Sequence, residues 1–168
     1  MNYEIVKATA EDTDAVLRLY REQLGRPFCF WDEHYPGLDT IEFDLSREAL
    51  YVMKDDSGEI IAAISEEKDD DVEKLDCWNP ELRPGGEYAR LAVSPASQNR
   101  GIARRMVSHI LGVLKEKGYR SVHILVIREN LPAVHTYAHF GFHVVGECDL
   151  YDHHYLCYEK DLDRPEGE

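Results

Sequence analysis

A helix that opens on three arginines constrains this chain more than any other feature. Residues 98–105 read Gln98-Asn99-Arg100-Gly101-Ile102-Ala103-Arg104-Arg105. From there Ile102, Ala103, Met106, Val107, Ile110, Leu111 and Leu114 recur at three- and four-residue spacings, which predicts a helix over residues 101–117. Gly118 suits its stop, and Lys115 and Lys117 suit its negative end. The first amides of a helix have no partner within it, and the helix dipole adds partial positive charge at the same end. Acidic residues are expected there. A chain with 33 Asp plus Glu against 19 Lys plus Arg, net charge −14, places arginines there instead. That choice opposes local helix stability unless an anion sits at the turn. A phosphate group resolves the conflict: Gly101 leaves the backbone approachable, Ala103 keeps the first turn uncrowded, and loop amides with the arginines would cradle a pyrophosphate. The alternative is an ordinary helix whose arginines pair with the surplus acids. The spacing is neither the dinucleotide-binding GxGxxG nor the P-loop GxxxxGK[ST].

The remaining elements can be read around this helix. Residues 3–7 alternate as a first strand. Thr9 and Asp12 form a capping-box-like start to a helix with Ala15, Val16, Leu19, Tyr20 and Gln23 on one stripe, ending near Gly25. Residues 26–40 are irregular and aromatic, with breakers Pro27, Pro36 and Gly37. A short helix over residues 41–48 is followed by strands over 50–54 and 60–65, joined at Asp55-Asp56-Ser57-Gly58-Glu59 as a hairpin. The acid-rich residues 66–74 read as a solvated loop, with a metal site as the sharper alternative, and residues 77–86 as a second loop. Strands over 88–93 and 121–127 flank the arginine-led helix. A helix over 131–139 closes at Gly141, and residues 143–151 and 155–162 pair as a last hairpin. Residues 162–168 read as a frayed tail. The order βααβββαβαββ predicts an α/β fold with a mixed sheet and helices on both faces, in a single domain over residues 1–168.

Charge and composition exclude several functions. A net charge of −14 repels nucleic acid and anionic membranes and favours cationic partners. No stretch approaches the roughly 18 apolar residues of a membrane span. The opening Met1-Asn2-Tyr3-Glu4 lacks the basic-then-apolar pattern of a secretory signal. Cys29, Cys77, Cys148 and Cys157 are widely spaced, which suits reduced, mostly buried thiols in the cytoplasm and gives no zinc spacing. Adjacent His153 and His154 make a poor metal motif, so no metal is expected.

Leu91-Ala92-Val93-Ser94-Pro95 followed by Gln98-Asn99-Arg100-Gly101-Ile102-Ala103 resembles the acetyl-CoA signature of the GNAT N-acetyltransferase superfamily, a strand and loop leading into (Q/R)xxGx(G/A). Asn130, Ala133, Tyr137 and Gly141-Phe142 resemble that family's second conserved segment. The close match covers residues 87–142, with Ala103 where many members carry glycine. The resemblance implies a mostly antiparallel sheet of about seven strands and acetyl-CoA as co-substrate. It implies that the backbone of Leu91, Ala92 and Val93 bonds the acetyl carbonyl and pantetheine arm, that amides from Gln98 through Asn99, Arg100, Gly101, Ile102 and Ala103 to Arg104 hold the pyrophosphate, and that Asn130 contacts the cofactor. The strands over 88–93 and 121–127 would splay into a slot for it. For the oligomer, the family prior is a homodimer.

Acetyl transfer to an amine sets further requirements. An alkyl amine, with a pKa near ~10.4, must lose a proton before it attacks a thioester. The tetrahedral oxyanion needs donors, and the leaving thiolate accepts a proton. Tyr137, at the family's tyrosine position, is the candidate acid. Glu87, just before the cofactor strand, is the leading base, with Glu66, Asp76 and His123 behind it. For the acceptor, Trp31, Glu33 and Tyr35 combine aromatic faces with charge suited to a cationic amine; the alternative is a loop whose aromatics cap the core. Tyr151 to His154 could border the site. The expected function is an N-acetyltransferase acting on a small primary amine. The alternatives are transfer to a protein amino group and a non-catalytic acetyl-CoA sensor.

Overall fold

The computed structural model describes residues 2–164. Its strands are β1 (Glu4–Lys7), β2 (Leu50–Lys54), β3 (Ile60–Glu67), β4 (Gly85–Val93), β5 (Ser121–Ile127), β6 (His143–Leu150) and β7 (His153–Asp161). Its helices are α1 (Thr13–Arg21), α2 (Leu38–Ser46), α3 (Asp70–Glu73), α4 (Ile102–Glu116) and α5 (Leu131–His139). The strands follow the order β1-β2-β3-β4-β5-β7-β6. β4 and β5 run parallel, whereas the β1–β2, β2–β3, β5–β7 and β6–β7 ladders are antiparallel. This is the mixed α/β architecture expected from the element order, with the mostly antiparallel, seven-stranded sheet that the resemblance implies. Of the tail expected over residues 162–168, positions 165–168 lie outside the described residues.

Two compact units share β4 and α4: Met1–Glu67 with Ala89–Ile110, and Lys68–Tyr88 with Leu111–Glu168. In the first, Val16, Leu19 and Tyr20 of α1 pack with Ile41 of α2, Leu50 and Val52 of β2, Ala63 of β3 and Ala92 of β4. The stripe on α1 is the one its spacing predicts. Asp12 reaches back to accept from the Thr9 amide at 2.9 Å, and Asp55 Oδ1 accepts from the amides of Ser57 and Glu59 at 2.9 and 3.0 Å, tightening the β2–β3 hairpin. α2 begins three residues before the expected position, because the Thr40 hydroxyl accepts from the Gly37 amide at 3.3 Å and Gly37 serves as its cap.

In the second unit Val72, Trp78 and Cys157 form a small core, with Cys77, Cys148, Leu125 and Leu150 packed on it. All four cysteines are free thiols. The acidic run is not loop throughout: Asp69 accepts from the Asp71 amide at 3.0 Å and caps the single turn α3. Gly85 and Gly86, expected in a loop, are the first residues of β4 and pair with Ser121 and Val122. A β-carbon at Gly86 would stand 3.0 Å from Leu114 and 3.2 Å from Tyr119, so a side chain here would require those neighbours to give way.

Candidate active site

The end of β4 leads directly into the arginine-rich turn. The Val93 carbonyl accepts from Gln23 Nε2 at 3.0 Å and from Arg26 Nη1 at 3.2 Å, and Arg26 also donates to Gln23 Oε1 at 2.7 Å. Gln98 turns its amide oxygen to Arg26 Nη2 at 2.9 Å. The strand end at Val93 is thereby held by Gln23 and Arg26, in the turns that follow α1. Beyond it, Asn99 and Gly101 take positive φ of 63° and 73°, and Ile102 is buried as the anchor of α4. A β-carbon added at Gly101 would meet nothing within 4 Å, so the space in front of this turn is open.

The three arginines of this turn are exposed. Arg100 Nη1 reaches the Tyr3 hydroxyl at 3.4 Å, and the Arg105 guanidinium lies 5.5 Å from the Tyr3 ring centre. Among the described residues, none of Arg100, Arg104 and Arg105 pairs with a carboxylate. The reading in which they neutralise surplus acids nearby therefore has no ion pair to support it. A positive helix end and three unpaired guanidinium groups face solvent together, the electrostatic setting in which polyphosphate binds.

The second unit carries the candidate acid, the base and Asn130. Glu87 and His123 face each other in the β4–β5 register; both are buried, with Oε1 and Nε2 3.9 Å apart. His123 stacks on Trp78 with ring centres 4.8 Å apart. Burial lowers its pKa to about 4, so the ring is neutral at pH 7. Asn130 caps α5, its side-chain oxygen accepting from the Ala133 amide at 3.3 Å, which leaves its NH₂ group free to donate. Tyr137 is half-buried among Tyr88, Phe142 and Tyr158, with ring centres at 6.1, 5.6 and 6.1 Å. Burial raises its pKa, which keeps the phenol protonated and a proton donor.

The neutral His123 makes stability sensitive to acid. Its folded pKa lies below its unfolded value near 6.5, so between those values the unfolded chain holds the extra proton. Stability is complete above pH 6.5 and is lost as pH falls through 4, by about 3 kcal/mol from this group. His123→Phe keeps a ring on Trp78 and removes the titration. The variant should lose roughly 5–10 °C less in Tm than the parent between pH 7 and pH 4, measured by thermal unfolding at both. Parallel Tm curves would refute the assignment.

The acceptor-side candidates separate in the structure. Trp31 packs edge-on against Tyr20 with ring centres 5.5 Å apart and joins the first unit's core. Glu33 is exposed beside His34 at 3.5 Å. Tyr35 is partly exposed, and its hydroxyl accepts from Arg90 Nη1 at 3.1 Å. Tyr151 and Asp152 turn the β6–β7 hairpin, His153 and His154 open β7 opposite Leu150 and Asp149, and the Tyr151 hydroxyl donates to Asp69 at 2.7 Å. Sequence reasoning missed Arg90, which holds a positive φ of 55° in mid-strand and is buried with Asp44. The available signal was parity: Arg90 shares the strand face of Tyr88 and Ala92. Among the described residues, no three His, Cys, Asp or Glu side chains are arranged to hold a metal ion, and no helix is long and apolar enough to cross a membrane.

The sequence matches the acetyltransferase (GNAT) family over residues 13–142. This chain belongs to that family. No curated protein matches the sequence. Solved structures share the GNAT fold at low identity. The PaiA N-acetyltransferase of Thermoplasma acidophilum, in complex with coenzyme A, is 19% identical, with TM-score 0.74 over 96% of this chain and 99% of its own. The yncA acetyltransferase structure from Salmonella typhimurium, with its cofactor acetyl-CoA, is 15% identical, with TM-score 0.74 over 98% and 96%. The ribosomal-protein-S18-alanine N-acetyltransferase of Escherichia coli is 15% identical, with TM-score 0.72 over 96% and 94%. The GNAT match spans both the arginine-led turn and the Asn130–Phe142 segment.

Proposed function

We propose that this GNAT protein transfers an acetyl group from acetyl-CoA to the primary amine of a small molecule, by direct attack within a ternary complex in the cytoplasm. The observation that carries this reading is the open turn at Gly101, where three arginines without carboxylate partners flank the start of α4. Acetyl-CoA supplies the activated thioester. Amides from Gln98 to Arg104 would hold its pyrophosphate, Asn130 would contact the pantetheine region, and the backbone of Leu91 to Val93 would receive the acetyl group. Glu87 would take the amine proton directly or through water, and Tyr137 would protonate the departing sulfur. Tyr35 and Glu33 give the acceptor side an aromatic face and a carboxylate, which suit a cationic amine.

The test is release of CoA thiol from acetyl-CoA in the presence of spermidine, glucosamine, methionine and a tripeptide with a free N-terminus. Release above the water background with one of the three small amines is the expected result. Release with the tripeptide alone would move the acceptor to a protein amino group. Tight acetyl-CoA binding without release across the panel would replace catalysis by sensing. If millimolar CoA leaves Tm unchanged, the donor assignment fails.

A further inference from the structure

The first unit buries a charged cluster that the acetyl-transfer chemistry does not use. Asp44 on α2 is completely buried and Arg90 on β4 nearly so. Arg90 Nε donates to Asp44 Oδ2 at 3.2 Å, and Nη2 donates to both Asp44 oxygens at 3.0 Å. Arg90 Nη1 serves two further partners, Glu67 Oε2 at 2.5 Å and the Tyr35 hydroxyl at 3.1 Å. Asp44 also accepts from the Ser65 hydroxyl at 2.7 Å and faces Arg47 at 3.6 Å. Burial works against the Arg90 charge, yet Glu67, Tyr35 and Asp44 together hold its pKa above the usual value. The guanidinium is charged and all of its bonds are specific in direction.

A buried ion pair is weak evidence for stability, since apolar residues of the same volume often serve as well. Two further facts give this one a geometric task. Arg90 sits at φ 55° inside a strand, a strained state for a side-chain-bearing residue that persists only where its surroundings over-determine it. The strain falls immediately before Leu91, so it sets the path of the segment proposed to receive the acetyl group. The same guanidinium also carries the hydroxyl of Tyr35, an exposed aromatic of the loop between α1 and α2.

We infer that Arg90, held by Asp44 and Glu67, is a positioning residue that fixes the acceptor-side loop, through Tyr35, at a set place beside Leu91 to Val93. This rests on the donor and acceptor sides proposed above. Arginine is required because one planar fork must satisfy Asp44, Glu67 and Tyr35 at once, which an ammonium group does not do. The acceptor would then meet a loop already in place, with its ordering cost met during folding.

Two variants test this. Tyr35→Phe removes one hydroxyl and keeps the ring. Amides of residues 28–37 should exchange with deuterium about fivefold faster than in the parent, while α1 is unaffected. With the fastest amine among spermidine, glucosamine and methionine, amine KM should rise about tenfold, well beyond any fall in kcat, and CoA affinity by calorimetry should stay at the parental level. Arg90→Lys should accelerate exchange both in residues 28–37 and in residues 91–93. Parental exchange of residues 28–37 in Tyr35→Phe would overturn the inference, as would an equal loss in kcat with KM constant. The exchange measurement needs neither CoA nor an acceptor. Failure of the parent to bind CoA would therefore defeat the proposed function while leaving this result readable.

Discussion

Replacing Gly101 with glutamate should abolish binding of CoA. The turn at Gly101 takes φ 73° with nothing within 4 Å of the position a β-carbon would occupy, so the added side chain would project into the space assigned to the pyrophosphate. It would bring a carboxylate to the positive end of α4, among Arg100, Arg104 and Arg105. The helix end and the guanidinium groups would then be satisfied internally, and a polyanion would meet repulsion where it now meets attraction. A β-branched or bulky side chain is also strained at this backbone. Together these effects should weaken CoA binding by at least about 100-fold, corresponding to about 2.7 kcal/mol, read by calorimetry and by loss of heat protection. Gly101→Asn, which tolerates the left-handed region and adds no charge, should lose less. Parental affinity in Gly101→Glu would contradict the proposed loop.

Turnover should depend as strongly on Tyr137. Its ring is held among Tyr88, Phe142 and Tyr158, contacts that Tyr137→Phe preserves, so the variant should fold and bind acetyl-CoA as the parent does. What it lacks is a proton for the thiolate. Loss of a positioned general acid costs about 100-fold or more in rate, and kcat should fall by that amount. Because burial raises the phenol's pKa above its ordinary value near 10, the parent's kcat should show no alkaline fall from this group below pH 10. Parental turnover in Tyr137→Phe would reject the acid role, and a large drop in Tm would recast the residue as a packing element.

Much of the fold was legible because its signals are local. The α1 stripe of Val16, Leu19 and Tyr20, the hairpin at Asp55 to Gly58 and the start of α4 each rest on residues within a few positions of one another. Gly85 and Gly86 misled, since glycine pairs read as loop; here they lie close to His123 and Ser121, and to Leu114 and Tyr119, some thirty residues away. Tyr35 and Trp31 looked equivalent as acceptor candidates. Packing separates them, one against Tyr20 in the core and the other on the Arg90 guanidinium.

The amino-acid order alone determined most of the element sequence and the arginine-led turn at Gly101, because hydrogen-bonding period, helix dipole and glycine backbone freedom all act over a single turn of chain. Folding decided which charges are buried and what they do. Asp44, Glu67 and Arg90 stand far apart in sequence, and an ionised group survives burial only when partners from distant segments replace its water. Likewise, whether His123 is neutral depends on Trp78 and the surrounding burial rather than on its neighbours in β5. Long-range desolvation is a property of the packed chain, and it is absent from any window of sequence.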